Sequence, residues 1–339
     1  MLIKNQQLND TLRITLIITL CMLAGNLLHL ENNVYLVLYP TLLMTKGKDY
    51  SWYGLLKMLI PTLIAATCAL IIAETFKDHP FAIWTISLIF IDQVRRSANT
   101  PAKQGGMLMP VFNWVLIIVF SQYTSASMPM RIHEIFISMA VTIAVCKFMV
   151  WLFPVAKNGK APQIKPQQVT YQHRFISLSL IGSGLAFLMI VDLLSATFCM
   201  VPVIAAATQF NRAQYLRVVK LRFITQIGGC ALAIIFTLLL AGHQSVISFY
   251  ALGLGFLIFT ITNWMVNSPN KFKDLHADVL LATVLPIQLY MGNISFGLER
   301  TYLRAWELAV TLGILFILYQ LTRSRDNNGQ INHQYSNIG

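Results

Sequence analysis

Two stretches of this sequence place the same ionisable and hydroxyl residues at the same spacing. Arg131, Glu134 and Ser138 in RIHEIFIS recur as Arg304, Glu307 and Thr311 in RAWELAVT, so R-x-x-E-x-x-x-[S/T] occurs twice. At helical geometry these positions fall within about 60 degrees of one face, and Thr142 extends the first stripe. An arginine in such a stripe can attract a carboxylate, and a glutamate one turn on can orient that carboxylate or carry a proton. The same residues would also serve as an interfacial ion pair that positions a helix among lipid headgroups, and the sequence leaves both readings open.

A second charged cluster is Asp92, Arg95 and Arg96 in FIDQVRRSAN. It could line a vestibule for an anion, or the arginines could set orientation while Asp92 pairs with one of them a turn away. Lys147 lies six residues before Phe153, about 9 Å along a helix, within reach of a snorkelling side chain. The five cysteines and the scattered histidines, among them His29, His79, His133 and His243, form no metal-ligand spacing, so no metal and no cofactor is expected. Asp192 is expected to be a helix cap or an interfacial residue. There is no glycine-rich phosphate loop followed by lysine, which speaks against ATP hydrolysis.

The elements that carry these residues follow from composition. With 56% apolar and 11% charged residues, the 339-residue chain falls far from the roughly one-quarter charged content of soluble domains. It is expected to be an all-α polytopic membrane protein with about 12 transmembrane helices. Nearly uncharged stretches place them at 12–28, 34–45, 54–73, 80–94, 107–121, 132–153, 174–191, 195–208, 218–240, 246–266, 277–292 and 302–321. Spans two and eight are a dozen or so residues long and contain Pro40 and Pro202. At 1.5 Å per residue a dozen residues reach only about 18 Å of a core about 30 Å thick, so these two Pro-broken segments should be half-helices or bent elements shielded by neighbours. Corresponding proline-interrupted segments in two repeats point to a substrate path, which gives Pro40 and Pro202 a path-shaping role.

Landmarks recur at similar offsets, Arg13 with Arg174, Pro40 with Pro202, Pro110 with Pro286 and Arg131 with Arg304. An even number of spans per unit makes the two six-helix repeats parallel. The expected organisation is a first repeat at 1–153, a short linker at 154–173, a second repeat at 174–321 and a disordered tail at 322–339. Glycine pairs such as Gly182 with Gly184, Gly228 with Gly229 and Gly253 with Gly255 should allow close helix contact. Of the 25 basic residues, only Lys77, Arg131, Arg300 and Arg304 map to one face and Lys147 to a span; the rest share the other face. The positive-inside rule then places both termini in the cytoplasm and explains the net charge of +12 without a nucleic-acid partner.

The opening LRITLIITLCMLAGNLLHLENNVYLVLYPTLL and the matching HRFISLSLIGSGLAFLMIVDLLSATFCMVPVIAAATQF, with two six-span blocks, resemble the fusaric acid resistance (FUSC) and aromatic acid exporter-like superfamily, in its short branch of unknown function. The resemblance spans nearly residues 10–322. It implies a bacterial inner-membrane efflux component for aromatic carboxylates or other small organic anions, embedded in membrane lipid and working with a periplasmic membrane-fusion adaptor. It also implies a kinship with six-span anion channels of plants. The larger exporters of the group carry a substantial cytoplasmic domain that the short link between Pro154 and His173 cannot hold.

Efflux of small organic anions is therefore the expected function, and no enzyme activity is expected. Besides an anion channel, three alternatives stand beside it. A major-facilitator-type transporter should show an Asp- and Arg-rich signature between spans two and three, of which TKGKDYSWYGLLK is a faint echo. A membrane-embedded enzyme on lipid-linked substrates should show clustered aspartates, whereas Asp49, Asp92, Asp274 and Asp278 are isolated. The third is a non-transporting assembly partner for an adaptor.

Overall fold

The computed structural model describes residues 2–28, 30, 33–47, 49–123, 128–155, 167–191, 195–240, 246–290 and 294–335, with the side chains of 2–5, 101–102, 128–129, 270–271, 294–297 and 322–335 left aside. His29, Asp192 and His243, most of the expected linker and the last four tail residues lie outside the described residues. Among those described, the chain is helical throughout. The helices are α1 (Leu2–Leu27), α2 (Tyr35–Lys46), α3 (Trp52–Thr75), α4 (Pro80–Ser97), α5 (Pro101–Gly106), α6 (Leu108–Tyr123) and α7 (Met128–Leu152). They continue as α8 (Tyr171–Ile190), a 3-10 turn (Ser195–Cys199), α9 (Met200–Ala207), α10 (Arg212–Leu239), α11 (Ile247–Asn267), α12 (Asn270–Tyr290) and α13 (Ile294–Tyr335). Among the described residues, eight segments are long and apolar enough to cross a membrane. The backbone of α13 continues past 321 into the segment expected to be disordered.

Helix starts follow local chemistry. Ser51 caps α3 by accepting from the Gly54 N–H at 3.0 Å, and Asp49 in turn accepts from the Ser51 N–H at 2.9 Å. Those contacts hold the Asp49 carboxyl below the usual carboxylate range, the Ser51 backbone hydrogen bond contributing most. Pro80 opens α4 and Pro101 opens α5, where a missing N–H costs nothing.

The centre is built from the short and apolar elements. All ten residues from Tyr35 to Met44 of α2 are buried, as are nearly all from Leu108 to Val119 of α6. Around them, α1 packs on α2 and α8 on α9; α3 packs on α6 and α10 on α12; α7 packs on α2, while α13 packs on the 3-10 turn and α9. Contacts between the first and second halves are also paired, α1 with α11 and α4 with α8, α2 with α12 and α6 with α9. Small residues permit the closest approaches. Ala65, Ala66, Ala69 and Ala73 form the buried face of α3, and Gly229, Cys230 and Ala233 that of α10. At Gly229 the backbone comes so near α12 that an added Cβ would stand 2.4 Å from the Cβ of Ala282 and 2.9 Å from its carbonyl carbon.

The outer surface is apolar, with aromatic side chains at the helix ends. Trp52, Tyr53, Trp151, Tyr171 and Trp264 are exposed near the end where α1 begins, called here the basic end. Phe81, Phe249, Tyr302 and Trp306 are exposed at the opposite end. Such paired belts suit the two interfaces of a bilayer, and the molecule is a multi-pass membrane protein.

The proline expectation needs correction. The α2 helix runs through Pro40 without a break, because only the carbonyl of Leu36 loses its partner there. In the second half the discontinuity falls between Cys199 and Met200, where the 3-10 turn becomes α9, and Pro202 sits in the first turn of α9. A first-turn residue needs no N–H partner within the helix, so Pro202 accompanies the break without causing it. Both segments are as short as expected.

Candidate functional site

The two Arg/Glu stripes face the protein interior. On α7, Arg131 is 7% exposed, and Glu134, Ser138 and Thr142 are also buried, while Phe136, Phe148 and Trp151 cover the outward face. On α13, Arg304 is 3% exposed and Glu307 and Thr311 are half-buried, while Tyr302, Trp306, Val310 and Ile314 face out. A headgroup anchor keeps its charge in the wet interface, so inward burial favours a protein-lined polar site.

Each arginine sits over the ring of a phenylalanine. The guanidinium of Arg131 is 4.5 Å from the ring centre of Phe120 on α6, and that of Arg304 is 4.7 Å from Phe198 in the 3-10 turn. When desolvated such contacts contribute about 2 kcal/mol, well below the cost of burying an unpaired guanidinium. In the second copy the remainder is unmet, since the Nε and Nη1 atoms of Arg304 are buried with no hydrogen-bond acceptor. Glu307 accepts a 2.6 Å hydrogen bond from Ser195 through Oε1, while its Oε2 is buried without a donor. Cys199 stands within electrostatic reach of Arg304 and Glu307 and beside Thr311. In the first copy Tyr35 lies within electrostatic reach of Arg131 and Glu134.

Both sites thus share a construction. The last long helix of each half sets its arginine and glutamate against the start of the short segment, Tyr35 on α2 or Ser195 to Cys199 before α9. The first N–H groups of a helix lack intrahelical acceptors and carry the positive end of its dipole. A buried arginine beside such a terminus makes a surrounding suited to a carboxylate. Tyr35, Ser195 and Phe198 escaped the sequence reading, because aromatic and hydroxyl residues in apolar spans look like packing until the short helix is docked on its partner.

At the basic end, Asp92, Arg95 and Arg96 separate. Asp92 receives two hydrogen bonds from Arg174 on α8, at 2.7 and 2.6 Å, and pairs with Arg96 at 3.0 Å. Arg95 does not line a vestibule. It is fully buried, donating to Ser177 Oγ and the Ala98 carbonyl at 3.2 Å each, with its guanidinium 4.8 Å from the Phe210 ring centre. The reason is helical phase, since Arg95 follows the inward positions Ile83, Ser87 and Ile91 of α4. Arg96 and Arg174, with Asn99, Gln167, Gln168 and Val169, line a cavity of about 360 Å³. Lys147 reaches the loop before α3, where its ammonium donates to the Tyr50 carbonyl at 2.9 Å. Arg13, the landmark partner of Arg174, pairs within its own helix with Asp10 at 2.7 Å.

No curated protein and no solved structure matches the chain. Residues 10–149, which include α2 and the Arg131 and Glu134 stripe, match the model of a protein family of unknown function (DUF2955), itself one of the FUSC-like group of membrane proteins.

Proposed function

We propose that this chain is an inner-membrane transporter that exports small organic anions, aromatic carboxylates first among them, and that it is not an enzyme. The observation that carries the reading is the second-half site, where a buried arginine with two unpaired donors meets the start of a short helix beside Glu307. An anion supplies the acceptors that Arg304 lacks, and a protonatable carboxylate nearby offers a means of proton coupling through Glu134 or Glu307. The paired packing relations support two parallel six-helix repeats of twelve spans, with α2 against α12 and α6 against α9 between the halves. The excess of basic residues at one end supports cytoplasmic termini, so both Arg/Glu sites face the periplasm. A membrane-fusion adaptor docking on that side would continue the path outward.

The reading is tested by deleting the chain from its host and measuring intracellular accumulation of a panel of radiolabelled aromatic acids. Raised accumulation of at least one acid, reversed by the restored chain, is expected. Unchanged accumulation across the panel would sink the exporter reading.

A further inference from the structure

The basic end of the α4/α8 seam joins one half of the molecule to the other through charge. Among the described residues, Trp84 Nε1 donates to the Gly182 carbonyl at 2.9 Å farther along the seam, and at the basic end Arg95 Nε donates to Ser177 Oγ at 3.2 Å and Arg174 makes its double hydrogen bond to Asp92. The last is the contact nearest the cavity lined by Arg96, Asn99, Gln167, Gln168, Val169 and Arg174. Gln167 comes from the segment linking the halves, and its N–H donates to the Asn99 carbonyl at 2.7 Å.

Charge and fit distinguish this cavity from a routine ion pair. Two guanidiniums, Arg96 and Arg174, share the single carboxylate of Asp92. Arg95, one residue away, is buried with neutral acceptors only, which adds a further positive charge to the seam. The α8 helix begins at Tyr171 beside the lining residue Val169, so the positive end of its dipole falls here too. The cluster therefore retains net positive charge with Asp92 fully engaged. Arg96 remains half exposed, and the amides of Asn99, Gln167 and Gln168 can donate to an oxygen anion. The depression, about 360 Å³ and open on one side, is large enough to admit a small carboxylate.

We infer that this cavity is the cytoplasmic loading site for one substrate carboxylate, with Asp92 as its built-in competitor. Resting on the export reading above, it gives that reading a point of capture. An incoming carboxylate takes the place of Asp92 on Arg174 and the double hydrogen bond from α4 to α8 is released, which loosens the seam at this end while Arg95 still donates to Ser177. A carboxylate exchanges for a carboxylate on the same fork of donors, so the step needs no other charge to enter. Loading and unlatching are one event.

The test uses full-length protein in lipid nanodiscs and equilibrium dialysis with radiolabelled benzoate. In a background carrying Arg131→Ala and Arg304→Ala, which removes the two inward sites, Arg174→Gln is expected to abolish the saturable binding that remains. Asp92→Asn, which keeps the shape but removes the competing charge, is expected to tighten binding about five- to tenfold. In unaltered protein, saturating benzoate is expected to raise hydrogen exchange in the last turn of α4 and the first turn of α8. Binding that survives Arg174→Gln in that background, or exchange at these turns that benzoate leaves unchanged, overturns the proposal. Inorganic phosphate displacing benzoate at equal concentration would overturn carboxylate recognition in favour of a general anion site. Export in cells that persists without Arg174-dependent binding overturns this site alone and leaves the export reading standing.

Discussion

The hydroxyl of Ser195 donates a 2.6 Å hydrogen bond to Glu307, tying the start of the short eighth segment to the last long helix. The two residues are 112 positions apart, and the bond fixes one carboxylate oxygen while leaving the other without a donor. One oxygen of Glu307 is therefore held by the fold and the other is not. A hydrogen bond to a charged acceptor contributes about 1.5–3 kcal/mol. Ser195→Ala is expected to lower the melting temperature in detergent by several degrees, and Ser195→Thr to retain most of it. Equal melting of the alanine variant and the parent protein would show that the bond does not form.

Gly229 makes a sharper packing test. Its absent side chain lets α10 approach the backbone of α12, whereas Gly228 next to it has nothing within 4 Å. Gly229→Ala is expected to cost about 1–3 kcal/mol by overpacking, and Gly228→Ala to be neutral or slightly stabilising. Thermal unfolding of the two variants side by side checks this, and matching curves would contradict the close approach.

Pro40 and Pro202 should respond differently from true helix breakers. Pro40→Ala restores an N–H opposite the Leu36 carbonyl in a helix that is already continuous, and Pro202→Ala adds an N–H in a first turn. Both variants are expected to express at parental levels with melting temperatures unchanged or raised. Transport by Pro40→Ala then reports directly on whether the freed carbonyl serves the path, and collapse of expression would show that the prolines hold the fold.

Much of this arrangement was legible in the sequence. Every expected span has a helix close to its place, because a bilayer demands long apolar runs and the basic residues punctuate them. The doubled Arg131 and Arg304 motif was readable because helical phase alone puts its members on one face. The direction that face turns was not readable, since an inward stripe and a headgroup anchor have the same spacing. Arg95 and Arg174 illustrate the remainder. Arg95 looks like one more orientation charge, yet the phase of α4 buries it, and Arg174 meets Asp92 across 82 residues, a distance no local pattern encodes. Pro40 shows the opposite error, a strong local breaker overruled by a fully buried surrounding.

The central claim is that the two inward arginines handle the transported anion. Its most direct test is efflux of labelled benzoate from preloaded cells carrying Arg131→Ala with Arg304→Ala, with membrane abundance measured in parallel. The account predicts normal abundance with efflux reduced at least about tenfold, toward that of cells lacking the chain. Normal efflux by a normally abundant double variant would contradict it, leaving the arginines as structural fixtures of the fold.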